Sequence, residues 1–106
     1  MKAEYLSEHW NDENGNPSGG VSTGTGITIS WQNGPLGRGT ERRQPNGAFV
    51  ETIVDMVIDR LEYYQSGQFA CDENAEAIEH LRSAAAVLEA RTRERETRGV
   101  EGTYNK

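Results

Sequence analysis

Apolar residues recur at two periods along this chain, and the change of period divides it. Val50, Ile53, Val54, Val57, Leu61 and Tyr64 fall three and four residues apart on one stripe, the spacing of an amphipathic helix. Pro45-Asn46 opens that segment, with Asn46 as its expected N-cap. Gly67 stands where a left-handed residue would close it. A second helix is predicted from near Asp72 to Gly99, with Ile78, Leu81, Ala85 and Leu88 on its apolar face. The loop between them, Ser66–Cys71, is short enough to force the helices antiparallel.

Upstream the period falls to two. Val21, Thr23, Ile27, Ile29 and Trp31 alternate with Ser22, Gly24, Gly26, Thr28 and Ser30, which predicts one strand over Val21–Gln32. Its glycines mark either packing or the close approach of another backbone or a ligand. Asn14–Gly20 reads as turn material with Asn14-Gly15 as a hairpin signal, and Asn33-Gly34-Pro35 ends the strand. Met1–Asp12 is either an edge strand carrying Tyr5, Leu6 and Trp10 or partly disordered. The fold class is α+β: a small N-terminal antiparallel β element and basic connection over residues 1–45, then a helical hairpin over residues 46–106 that includes a short tail, Val100–Lys106.

Composition changes this picture in one respect. Only 34% of the 106 residues are hydrophobic and the mean hydropathy is −0.80, so one copy has little apolar material for a core. Two helices alone leave much of their apolar surface in water, so a sheet, a second protomer or both must cover it, and self-association is the expectation. The net charge of −6 argues against a general binder of nucleic-acid polymers. A single cysteine, Cys71, fits a reducing compartment. Met1–Trp10 lacks the apolar run of a signal peptide, and nothing approaches a membrane span. The expectation is a cytoplasmic protein.

Folding the charges onto the hairpin gives the first functional clue. Arg38, Arg42, Arg43, Arg91, Arg93, Arg95 and Arg98 are seven of the eleven basic residues, and an antiparallel hairpin is expected to gather them at one end. Guanidinium clusters grip phosphate or carboxylate bidentately. The plainer alternative is a solvated, salt-bridged helix end whose cations complement the dipole. At the opposite end Tyr63, Tyr64 and Phe69 surround the turn and Asn74 lies in the first turn of the second helix. An aromatic face with an amide suits a nucleobase. Each residue also has a structural use: Tyr64 in the stripe, Phe69 as a plug, Asn74 on free helix amides.

Other constellations are weaker. Glu51, Asp55 and Asp59 on the first helix and Glu73, Glu76 and Glu79 on the second are spaced as in all-helical, magnesium-dependent nucleotide pyrophosphohydrolases. Those enzymes usually add another helix and a further acidic motif. His9 and His80 form no zinc set, Cys71 lacks a nearby base, and no Gly-Lys-Ser/Thr follows the glycines of Gly19–Gly26. No catalytic residue, metal site or cofactor is expected.

Arg60-Leu61, Tyr64-Gln65, Ser66-Gly67, Phe69-Ala70-Cys71, Glu73-Asn74-Ala75, Arg91-Thr92 and Arg98-Gly99-Val100-Glu101-Gly102-Thr103 form a combined pattern. It resembles the helical-hairpin domain shared by phage Thoeris anti-defence and anti-CBASS proteins, over about Asn46–Thr103. Trp31-Gln32 and Gly34-Pro35-Leu36-Gly37-Arg38 are similar to the small β part of the Thoeris branch. The resemblance implies a sponge rather than an enzyme. Such a protein sequesters a nucleotide second messenger, a cyclic ADP-ribose isomer or a cyclic di- or trinucleotide, in the cytoplasm of an infected bacterial host. It further implies Tyr64 stacking on adenine, Asn74 on a base or ribose edge, and Arg91 with Arg95 on phosphate. One more arginine comes from Arg38, Arg42 or Arg43. Tyr64 replaces a common phenylalanine and Asp72 a common basic residue.

Asn74 and Arg91 lie seventeen positions apart on one helix, about 26 Å at 1.5 Å per residue. A mononucleotide-sized ligand cannot bridge them within one protomer. A two-fold dimer, alone or within a hexamer of dimers, would bring the Arg91 end of one hairpin to the Tyr64–Asn74 end of another. The remaining alternatives are a protein-interaction hairpin without a ligand, and the hydrolase.

Overall fold

A computed structural model describes residues 4–106. The described elements run β1 (Tyr5–Asn11), β2 (Pro17–Gly24), β3 (Ile27–Trp31), a 3₁₀ turn (Gly39–Glu41), α1 (Val50–Gln65) and α2 (Asp72–Arg98). They fall into two compact units: the chain through Phe49 together with Val100–Lys106, and Val50–Gly99. The architecture is α+β, an antiparallel three-stranded sheet followed by a helical hairpin.

In the first unit the strands lie in the order β1-β2-β3. Asn14-Gly15 makes the first turn as its chemistry predicts: Gly15 has φ +80°, and Asp12 Oδ1 accepts from the amides of Asn14 (2.8 Å) and Asn16 (3.0 Å). Strand β2 begins earlier than the turn signals imply, at Pro17. The single strand expected over Val21–Gln32 is two strands, broken at Thr25-Gly26, where Gly26 has φ +76°. The break reassigns the faces. Gly24 pairs with Ile27 and Ser22 with Ile29, so Ile27, Ile29 and Trp31 share a face with Tyr5, Ser7 and His9 of β1. Val21 and Thr23 point the other way, contrary to the expected common face. On the first face Trp31 Nε1 donates to Ser22 Oγ at 2.9 Å, and the Ser22 and Ser7 hydroxyls lie 2.7 Å apart.

After β3 the chain folds back. Asn46 is not a helix cap: its amide donates to Gln32 Oε1 (2.9 Å), its Oδ1 accepts from the Asn33 amide (2.8 Å) and its Nδ2 donates to the Asn33 carbonyl (3.1 Å). That leaves Ala48 to bridge Trp31 in parallel, and α1 starts at Val50, three residues later than a cap at Asn46 implies. Gly47 makes the bridge possible, because a Cβ there would sit 2.5 Å from the Trp31 carbonyl carbon. The tail belongs with this unit. Gly37 donates to the Gly102 carbonyl at 2.8 Å, and the Tyr104 hydroxyl donates to the Pro17 carbonyl at 3.0 Å.

The second unit is the hairpin. Helix α2 runs 27 residues and ends as predicted, at Gly99 with φ +75°, whose amide reaches the Arg95 and Glu96 carbonyls. The close of α1 differs from expectation, for Gly67 is not among the positive-φ glycines. The chain instead tightens into successive turns, Ser66 to Glu62 and Tyr63, Gly67 to Tyr64, and Ala70 to Gly67. Gln65 bolts the loop: its Oε1 accepts from the Cys71 amide at 2.9 Å and its Nε2 donates to the Cys71 carbonyl at 3.0 Å.

The interhelical seam is thin. Ile78 is the one buried hydrophobic side chain among the described residues, 7% exposed, while Val54, Ile58, Leu61, Leu81, Ala85 and Leu88 are half-buried. Val50 and Val57 of the expected stripe are exposed. Ile58 takes the place that Val57 does not fill on the seam.

Candidate functional site

At the turn of the hairpin three aromatic side chains frame a concavity of about 270 Å³, lined by Tyr63, Tyr64, Ser66, Gly67, Gln68 and Phe69. Tyr63 and Phe69 are 64% and 69% exposed, large apolar areas for a chain to leave in water. Tyr64 is half-buried at the end of α1. The two tyrosine rings lie 6.0 Å apart at 54°. Across the loop Asn74, half-buried, directs Nδ2 at the Phe69 carbonyl from 3.5 Å, so its amide is turned toward the loop rather than onto the first amides of α2. Tyr64 and Asn74 are thus brought to one end of the hairpin.

Arg60 completes this end. Its guanidinium lies 5.0 Å from the Tyr63 centroid and 4.9 Å from the Tyr64 centroid, with Nε donating to the Tyr64 hydroxyl at 3.2 Å. That hydrogen bond, with the two rings' phenol groups, raises the arginine's already high pKa. Spacings of three and four put Arg60 on the face of both tyrosines. That signal was present in the sequence, although Arg60 was not among the expected site residues.

The other end of α2 carries the arginines. Arg93 pairs with Glu89, and Arg98 with Glu94, each one turn apart. Arg91 is exposed and makes no side-chain hydrogen bond or ion pair among the described residues. Four residues to either side of it stand Val87 and the half-buried Arg95, and Glu94, three residues on, is paired with Arg98. Two cations at that spacing repel by a few tenths of a kcal/mol, roughly 0.2–0.5. Asn74 and Arg91 share one unbroken helix, so their separation stays about 26 Å and no single hairpin brings them together.

The arginines of the first unit are engaged within it. Arg42 grips Glu101 bidentately, Nη1 to Oε2 at 2.7 Å and Nη2 to Oε1 at 3.1 Å. Arg38 Nη1 donates to the Glu101 carbonyl at 2.9 Å, and Arg43 Nη2 to the Pro35 carbonyl at 2.7 Å. These arginines hold the 35–43 loop and the tail together, the structural meaning of Glu101 in the terminal motif.

The acidic positions give less. Glu51 and Asp55 line a concavity of about 240 Å³ with Ala85, Glu89 and Thr92. Among the described residues no three of His, Cys, Asp and Glu converge where they could hold a metal ion. No helix among them is long and apolar enough to cross a membrane.

With this geometry in hand, comparison with known proteins is decisive for the family. The model of the Acb2/Tad1 hairpin domain matches residues 24–93. The chain belongs to that family. Its relatives include "Thoeris anti-defense 1" of Bacillus phage SBSphiJ7, 48% identical over 79 residues, which cover 74% of this chain and 53% of the relative. The chain therefore spans about half the length of that curated relative. The family match takes in β3, the 35–43 loop, Arg60, Tyr64, Asn74 and Arg91, and stops two residues short of Arg95.

Proposed function

We propose that this protein is a phage anti-defence protein that binds and sequesters a nucleotide immune messenger without cleaving it, so blocking Thoeris or CBASS signalling in the cytoplasm of the infected bacterium. The messenger class is a cyclic ADP-ribose isomer or a cyclic di- or trinucleotide. Family membership and the name of the Bacillus phage relative support the anti-defence part. The observation that carries the binding part is the polarity of α2. An aromatic and amide platform stands at one end, and Arg91, without a carboxylate partner among the described residues, stands beside Arg95 at the other.

The two ends would meet across a two-fold axis, in a homodimer or a hexamer of dimers, and form two equivalent pockets. Tyr64 stacks on the base and Asn74 reads its edge or the ribose. Arg91 and Arg95 of the other protomer neutralise the phosphates. With one buried hydrophobic side chain among the described residues, and Val50, Met56, Val57, Tyr63, Phe69 and Val87 exposed, the hairpin has the apolar surface that such association would cover. Of Arg38, Arg42 and Arg43, Arg42 is the least available, since Glu101 already occupies its fork.

Isothermal titration with cyclic ADP-ribose isomers and cyclic di- and trinucleotides should show tight, selective binding. Mass spectrometry after heat release should recover the ligand intact. Recovery of a cleaved product would favour the hydrolase, and a stable dimer that binds none of these ligands would favour a protein-interaction hairpin.

A further inference from the structure

The proposed platform is not bare: the Arg60 guanidinium lies over the rings of both tyrosines. Tyr64 is half-buried and Arg60 exposed, and the guanidinium covers one face of the Tyr64 ring. The guanidinium is planar and sits 4.9 Å from the Tyr64 centroid, where a stacked purine would have to lie. Among the described residues Arg60 has no carboxylate partner; its contacts are the two rings and the Tyr64 hydroxyl. It is also the one Lys or Arg between Arg43 and Arg82, and it lies on α1 one turn before the two tyrosines. Arg60 is the cation that lies directly on the platform's rings.

Resting on the proposed nucleotide pocket, we infer that Arg60 is a specificity-determining residue that makes this platform prefer nucleotides over nucleosides. A base entering the stack displaces the guanidinium. A nucleoside gives the displaced cation nothing in return, so the lost ring contact counts against binding. A ligand with a phosphate close to its base gives it a charge-assisted partner. Arg60 thus acts as an occupant that only an anionic ligand relocates favourably.

The test uses adenosine and AMP as probes, titrated into the full chain and followed by NMR, with wild type, Arg60→Met and Tyr64→Ala compared. Wild type should favour AMP. Arg60→Met keeps an apolar stem but removes the planar cation. It should tighten adenosine binding by about two- to five-fold, the worth of an exposed cation–ring contact, and weaken AMP binding by about ten-fold. In wild type the Arg60 Nε–H resonance should carry a ring-current shift that disappears on addition of AMP. If Arg60→Met weakens both probes by the same factor, or changes neither, Arg60 does not discriminate and the inference fails. Tyr64→Ala separates the two levels. Loss of both probes with an unchanged ratio in Arg60→Met sinks only the role of Arg60. Unchanged binding in Tyr64→Ala, or no AMP binding to wild type at millimolar concentration, overturns the platform and the inference together.

Discussion

If each pocket takes Tyr64 from one protomer and Arg91 from another, two crippled proteins should repair each other. Tyr64→Ala removes a stacked base, worth about 1–3 kcal/mol. Arg91→Ala removes a charge-assisted contact to phosphate, worth about 1.5–3 kcal/mol. Each variant alone should therefore bind about ten- to a hundred-fold more weakly. The separation of about 26 Å along α2 means that neither protein can complete a pocket with its own second end. In a one-to-one mixture assembled at random, a pocket is intact when its tyrosine comes from the Arg91→Ala chain and its arginine from the Tyr64→Ala chain. That is about one pocket in four, whatever the number of dimers in the assembly. Co-expression of the two variants, followed by titration with the messenger, should show about a quarter of the wild-type stoichiometry at wild-type affinity. A mixture that behaves as the sum of its two weak parts would show that the two residues do not serve one pocket across an interface.

Three further outcomes concern the scaffold. Gly47→Ala places a Cβ 2.5 Å from the Trp31 carbonyl carbon and 2.6 Å from its oxygen. It should break the two backbone hydrogen bonds of the Trp31–Ala48 bridge and cost about 2 kcal/mol in urea unfolding; an unshifted midpoint would contradict the close approach. Gly99→Ala, at φ +75°, should cost about 1 kcal/mol, measured the same way. Ile78→Ala should cost about 2–4 kcal/mol, whereas Arg82→Ala, which removes an exposed ion pair with Glu62, should cost less than about 1 kcal/mol and only at low salt. Equal losses would mean that the seam does not hold the hairpin.

What could be read without coordinates was what local chemistry controls. The extent of α2, its stop at Gly99, the short loop and the antiparallel hairpin all follow from a 3.6-residue period and a glycine that accepts a left-handed backbone. The overall order, sheet then hairpin, followed in the same way. Strand faces did not, and the reason is parity. A turn of two residues, Thr25-Gly26, leaves the alternation unbroken in the text while the chain reverses, so Val21 and Ile27 look alike in sequence and point oppositely in space.

Tertiary structure alone decided what Asn46 does. Its side chain finds Asn33, thirteen residues away, and that distant pairing outweighs a local cap. The same holds for Arg42, which meets Glu101 fifty-nine residues on. Arg60 lies between these cases. Its spacing to Tyr63 and Tyr64 was visible, but whether the guanidinium would extend into water or lie on the rings depended on the exposed tyrosine faces that the loop leaves open. Sequence fixes a contact when both partners sit within a helical turn. A partner supplied by a remote segment is a consequence of the fold, because only the fold decides which segment arrives.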